Sequence, residues 1–115
     1  MKFVYEQRVS AESARVFVFF GDPANLGVLH REDGAFRLLR HSGSVAPGSE
    51  TWVACRVGRV LPLVLGFRHD AWDPPHWFSE RAVHGPFARF AHRHEFVPVA
   101  GGTLVRDSLD DMMQR

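Results

Sequence analysis

The run from Phe87 to Val97 constrains this chain more than any other stretch. Phe90, His92, His94 and Phe96 fall on one side of it, and Arg89, Ala91, Arg93 and Glu95 on the other. Successive side chains of a strand point to opposite faces. The pattern therefore predicts a long strand with a charged face in water and an aromatic face, with imidazoles set between the rings, turned inward. Gly85-Pro86 before it and Ala100-Gly101-Gly102 after it are tight turns, so the strands on either side must run antiparallel to it.

The rest of the chain reads as more strands around one helical interruption. Lys2 to Val9 alternates, with Phe3, Tyr5 and Gln7 on one face, and predicts an opening strand. Ser10 is placed to cap a helix whose apolar stripe is Val16, Phe17, Phe19 and Phe20, and Gly21-Asp22-Pro23 stops it. Asp22 can cap a second short helix over residues 24–29, with Leu26 and Leu29 buried. Strands are then expected at 35–41, 50–60, 66–72, 77–83 and 103–109, with Leu61 to Leu65 as an unusually apolar hairpin connection. With no linker, repeat or low-complexity segment, residues 1–115 read as one α+β domain.

Composition narrows the function classes. Hydrophobic residues make up 45% of the 115 positions, enough for a real core, and the 10 Phe make any enclosed space largely apolar. The net charge is +1 and the basic residues are scattered, so no nucleic-acid footprint is expected. No apolar stretch is long enough for a membrane span, and the opening Met-Lys-Phe-Val-Tyr-Glu has no signal core. Cys55 is alone and can form no internal disulfide, which fits a cytoplasmic setting.

If Phe78, Glu80, Ala82 and His84 face inward on one neighbouring strand, and Thr103, Val105, Asp107 and Leu109 on the other, then Glu80, His92, His94 and Asp107 converge on one interior wall. A buried carboxylate is costly unless paired, and imidazoles are natural partners. Such a cluster in an aromatic-lined concavity is the layout of a ligand site; it could equally satisfy itself and only fix the hairpins. Phe78, Phe90, Phe96, Trp52 and Trp72 are the apolar candidates for the wall, although the two tryptophans read first as ordinary core residues. His92-x-His94, completed by His84 or Glu80, has metal-ligand chemistry, but that spacing is common by chance, so no metal and no cofactor is expected. Ser79, Ser108 and Cys55 lack the context of an activated nucleophile. Acid–base work by His92 or His94 with Glu80 or Asp107 stays open.

Several stretches in order resemble one superfamily. They are Ala14 to Leu26 with its Val-Phe-x-Phe-Phe-x-Asp-Pro-x-Asn-Leu element, Trp72-Asp73-Pro74-Pro75 with Phe78, Gly85-Pro86-Phe87, His92-x-His94-x-Phe96, and Gly101-Gly102-Thr103-Leu104-Val105-x-Asp107. Together they resemble the START/polyketide-cyclase superfamily called SRPBCC, in its ligand-binding branch sometimes labelled cell-division inhibitor. The resemblance implies a helix-grip fold: a curved seven-stranded antiparallel sheet around a long C-terminal helix, with a cavity between them. Members bind lipids, polyketides or other apolar molecules, and some catalyse cyclisation or hydrolysis. The branch carries no agreed catalytic residues, so none is transferred. One departure stands out. After the last expected strand only Asp110 to Arg115 remain, too few for that helix. The apolar face would then be open to water, and a second copy of the chain in a homodimer, or a longer form of the protein, is expected to cover it.

Overall fold

The computed structural model describes residues 2–25, 36–57 and 61–113. Strand β1 (Lys2–Val9) leads into helix α1 (Ser13–Phe20) and a single 3₁₀ turn (Pro23–Asn25). Six strands follow: β2 (Phe36–His41), β3 (Glu50–Val57), β4 (Leu61–Asp73), β5 (Trp77–His84), β6 (Phe87–Val99) and β7 (Gly102–Met113). They form one antiparallel sheet in the order β1-β7-β6-β5-β4-β3-β2. Strand β1 joins the open side of β7, with Phe3 opposite Leu109 and Tyr5 opposite Asp107.

Helix α1 lies on the concave face. It turns Val16 and Phe17 into the sheet, where they pack with Val45, Phe78, Phe96 and Val105. Phe17 meets Phe78 and Phe96 edge-on, with ring centroids 5.9 Å and 5.5 Å apart, the favoured aromatic geometry. The link between β1 and α1 is pinned by buried Thr103, whose hydroxyl donates to the Ala11 carbonyl at 2.7 Å. The helix starts later than the sequence suggests. Glu12, not Ser10, is the cap residue, and it works through its backbone carbonyl, which accepts from the amides of Arg15 and Val16. Asp22 does act as a cap, accepting from the Ala24 amide at 3.0 Å, but the turn it caps is 3₁₀ over Pro23–Asn25. The rest of the expected second helix lies outside the described residues.

Two further expectations need correction. Leu61 to Leu65 is no hairpin connection: it is the first part of β4, paired residue by residue with Val57 to Val53 of β3. An apolar run of this length suits a strand as well as a connection, and the ladder decides it. The second concerns parity. The β4–β5 ladder has two register shifts, between Gly66 and Phe67 and between His69 and Ala71. An extra residue in one strand turns the side chains beyond it to the other face. Thus His69 and Trp72 both face inward although three positions apart. His84, expected inside with Glu80 and Ala82, points outward with the Trp52 ring 5.5 Å away.

Trp52 needs room on that convex face, and Gly66 provides it. A methyl at Gly66 would come within 2.8 Å of three indole carbons. Gly66→Ala is therefore expected to destabilise the fold by about 1–3 kcal/mol through overpacking, read as a lower urea midpoint; an unchanged midpoint would show that the indole moves aside freely.

The concave face is covered unevenly. Around Phe96 and Val105, both 1% exposed, α1 closes it; at the far end Phe3 is 45% and Tyr5 77% exposed. Among the described residues no helix follows β7, whose strand continues through Asp110 and Asp111 to Met113. None of the described helices is long and apolar enough to cross a membrane.

Candidate functional site

Between α1 and the sheet lies a cavity of about 280 Å³. Phe19, Phe20 and Pro23 wall it from the helical side, and Val45, Val53 and Phe67 from the β3–β4 side. Its floor is polar. His69 of β4, Glu80 of β5, His92 and His94 of β6, and Asp107 of β7 all reach it, with Phe78 among them. The ladders explain the gathering: His69 pairs with Glu80, Glu80 with His92, and His94 with Asp107, so these side chains sit as cross-strand neighbours on one face.

His94 is the hub. Its Nδ1 lies 2.8 Å from Asp107 Oδ1 and its Nε2 3.3 Å from Glu80 Oε1, while its ring stacks on Phe78 at 4.4 Å. His92 lies against it with ring centroids 3.8 Å apart, its Nδ1 3.4 Å from Glu80 Oε1 and its Nε2 3.6 Å from Asp107 Oδ1. His69 approaches from the other side. Its Nε2 is 3.0 Å from Thr51 Oγ1, and its Nδ1 is 3.4 Å from Glu80 Oε2 without making a hydrogen bond.

These contacts set the charges. Burial pushes Glu80 and Asp107 upward, but contacts from His92 and His94 outweigh it and hold both carboxyls well below the usual carboxylate range. Burial likewise opposes charge on His94, yet Asp107 and Glu80 on its two ring nitrogens raise it to about 9. His92 is raised against its own burial by the same two partners. His69 is lowered because burial outweighs the pull of Glu80. At neutral pH the floor is thus two carboxylates bridged by an imidazolium at His94, with a neutral imidazole at His69.

Of the residues singled out from the sequence, Phe78, Glu80, His92, His94 and Asp107 line this cavity. Phe96 shares their face but is sealed in the core, between Phe17, Phe20 and Phe78. Phe90 also shares it, against Phe67 at 5.2 Å, and is not among the lining residues. Trp72 rests against Phe17 at 6.4 Å, and 38% of it is exposed. Trp52 is on the wrong face altogether, its Nε1 donating to Glu50 Oε1 at 3.1 Å and Arg40 lying over its ring. Sequence reasoning misses His69, Thr51, Val53 and Phe67. The pair Phe67-x-His69 repeats the Phe90-x-His92 texture and is the signal that could have found two of them.

No family model matches this sequence, and no relative is found among curated proteins. Solved structures are similar in fold. A Thermus thermophilus protein superposes with a TM-score of 0.79 at 16% identity, over 100% of this chain and 76% of that one. The Zhui aromatase/cyclase of Streptomyces gives 0.78 at 12% identity, over 100% and 69%. A Thalictrum norcoclaurine synthase point mutant, crystallised with a transition-state analogue, gives 0.77 at 17%, over 99% and 76%. The chain thus has the helix-grip fold of these structures, a curved antiparallel sheet with α1 on one face, and among its described residues no helix follows β7. Identities this low carry the fold across and no residue roles.

Proposed function

We propose that the protein binds a small apolar molecule carrying one polar oxygen, with its apolar body against the phenylalanine and valine walls and its oxygen on the histidine–carboxylate floor. The observation that carries this reading is the asymmetry of the cavity: greasy on its walls, with fixed charge and hydrogen-bond capacity gathered on one side. Its size suits a molecule of one or two rings. Similarity in fold to an aromatase/cyclase and to norcoclaurine synthase supports a pocket of this kind.

The test uses 2-naphthol and naphthalene, followed by their own fluorescence. 2-Naphthol should bind at least about tenfold more tightly, the effect of one satisfied polar contact. Val53→Phe, which fills the cavity from β3, should abolish binding of both. Equal affinity for the two probes, or full binding by the filled variant, would place them on the open end of the sheet and overturn the reading.

One observation favours a second reading, an enzyme that closes rings with loss of water. His92 is 21% exposed by side chain, opens to the cavity within reach of a bound molecule, and has two carboxylates beside its ring nitrogens to steady the charge it would gain on taking a proton. On this reading the protein converts a diketone such as 2,6-heptanedione to its cyclic enone and water, and His92→Phe abolishes the conversion while 2-naphthol still binds. Absence of any conversion by the unaltered protein would leave the carrier reading alone.

A further inference from the structure

The spacing of the floor groups is unusual for a hydrogen-bonded network. Good N–H···O bonds cluster near 2.9–3.0 Å. Here Glu80 Oε1 stands 3.4 Å from His92 Nδ1 and 3.3 Å from His94 Nε2. One ligand atom from each of these three residues lies within 4.8 Å of the others. The edge of a tetrahedron is about 1.63 times its centre-to-corner distance, so an ion holding nitrogen and oxygen at about 2.0–2.2 Å separates its ligands by about 3.3–3.6 Å. The two distances from Glu80 Oε1 are edges of such a figure.

We propose that Glu80, His92 and His94 form a binding site for a divalent metal ion, Zn²⁺ by preference, on the floor of the cavity. The groups behind the ligands are arranged as metal sites require. A ligating histidine normally donates its other ring N–H to an oxygen that fixes its tautomer. Asp107 Oδ1, 2.8 Å from His94 Nδ1, is placed to do this, and the ion would take the place of the proton that Nε2 holds toward Glu80 Oε1. The same oxygen lies behind His92, 3.6 Å from its Nε2. A second, independent observation is His69. This ring is 2% exposed, its Nε2 faces Thr51 Oγ1, and its Nδ1 is buried with no hydrogen-bond partner, pointing at Glu80 Oε2 from 3.4 Å. Leaving such a nitrogen unpaired is costly, and its position beside the ligating carboxylate marks a cluster built around positive charge. His84, a third ligand suggested by the sequence, is excluded by its outward position.

Three protein ligands leave a coordination position facing the cavity, the arrangement of zinc sites that act on a bound molecule rather than hold a fold together. An oxygen of the cavity's occupant would fill it. The ion is tested alone, so the result does not depend on the apolar-ligand reading.

The experiment is calorimetric titration of chelator-stripped protein with Zn²⁺, repeated with Co²⁺ while its visible absorption is recorded. One ion per chain is expected, with the intense absorption of four- or five-coordinate cobalt. His92→Phe and Glu80→Gln should each weaken binding by more than about 100-fold, and Asp107→Asn by about 10–100-fold, the range for a group behind a ligand. His84→Ala should bind as the unaltered protein does. Circular dichroism identifies variants that remain folded; His92 is the more open of the two histidines, so its variant is the one to rely on should Glu80→Gln fail to fold. No binding, or binding that survives His92→Phe but is lost in His84→Ala, overturns the proposal.

Discussion

Replacing His94 with phenylalanine should destabilise the metal-free protein by about 3–5 kcal/mol, the cost of removing one partner from a buried ion pair. Phenylalanine fills the space and can still stack on Phe78, so lost packing is a small part of the effect. What the variant loses is the positive charge between Glu80 and Asp107, which then face each other across an apolar cavity with only His92 between them. The matching experiment is a double-mutant cycle in urea. Glu80→Leu combined with His94→Phe should be less destabilised than the sum of the single variants, because the second change removes the charge that the first left unpaired. Additive losses, or a single-variant loss below about 1 kcal/mol, would show that the floor is wetter and more loosely held than its geometry indicates.

The same groups give the metal-free protein a stability that depends on pH in a definite direction. His94 is raised from an ordinary 6.5 to about 9 in the folded chain. Its contribution is fully present below pH 6.5 and is lost as the pH rises toward about 9, amounting to about 3 kcal/mol over that window. Glu80 and Asp107 are lowered, so their contribution is present above their ordinary values of 4.5 and 3.8 and is lost as the pH falls below them. His69 is lowered as well, and resists its own protonation from pH 6.5 downward. Stability should therefore peak near pH 6 to 6.5 and fall on both sides. Urea midpoints at pH 6.5, 7.5 and 9 check the alkaline limb, which should flatten in His94→Phe. A midpoint that holds steady to pH 9 in the unaltered protein would be incompatible with an imidazolium bridging the two carboxylates.

The sequence makes the sheet and most of the floor legible because alternation on β6 is unambiguous, while the faces of β5 and β7 follow only once their pairing with it is known. Arg89, Arg93 and Glu95 belong in water, so Phe90, His92, His94 and Phe96 must face the other way, and antiparallel pairing carries that assignment to Glu80 and Asp107. Alternation fails where strands bulge. It assigns faces only relative to an unbroken ladder, and the two shifts between β4 and β5 leave no mark in the residue pattern that sets them apart from regular strand. That is why alternation puts His84 inside. Trp52 misleads for another reason: a large aromatic ring usually signals the interior, yet on this chain the convex face has its own berth for it over Gly66, flanked by His84 and Arg40. Leu61 to Leu65 shows a third limit, since an apolar run with a proline reads as a turn until its partner strand is known.

The floor draws its members from four adjoining strands, β4, β5, β6 and β7, with one or two residues from each. Nothing of it survives in any hairpin taken alone, and a slip of one residue between any two of these strands would swing a member to the outside. Whatever occupies the floor, proton, ion or ligand oxygen, therefore reports on the whole width of the central sheet at once. Amides of β5, β6 and β7 that exchange with solvent through separate local openings in the empty protein would, once it is filled, be obliged to open together.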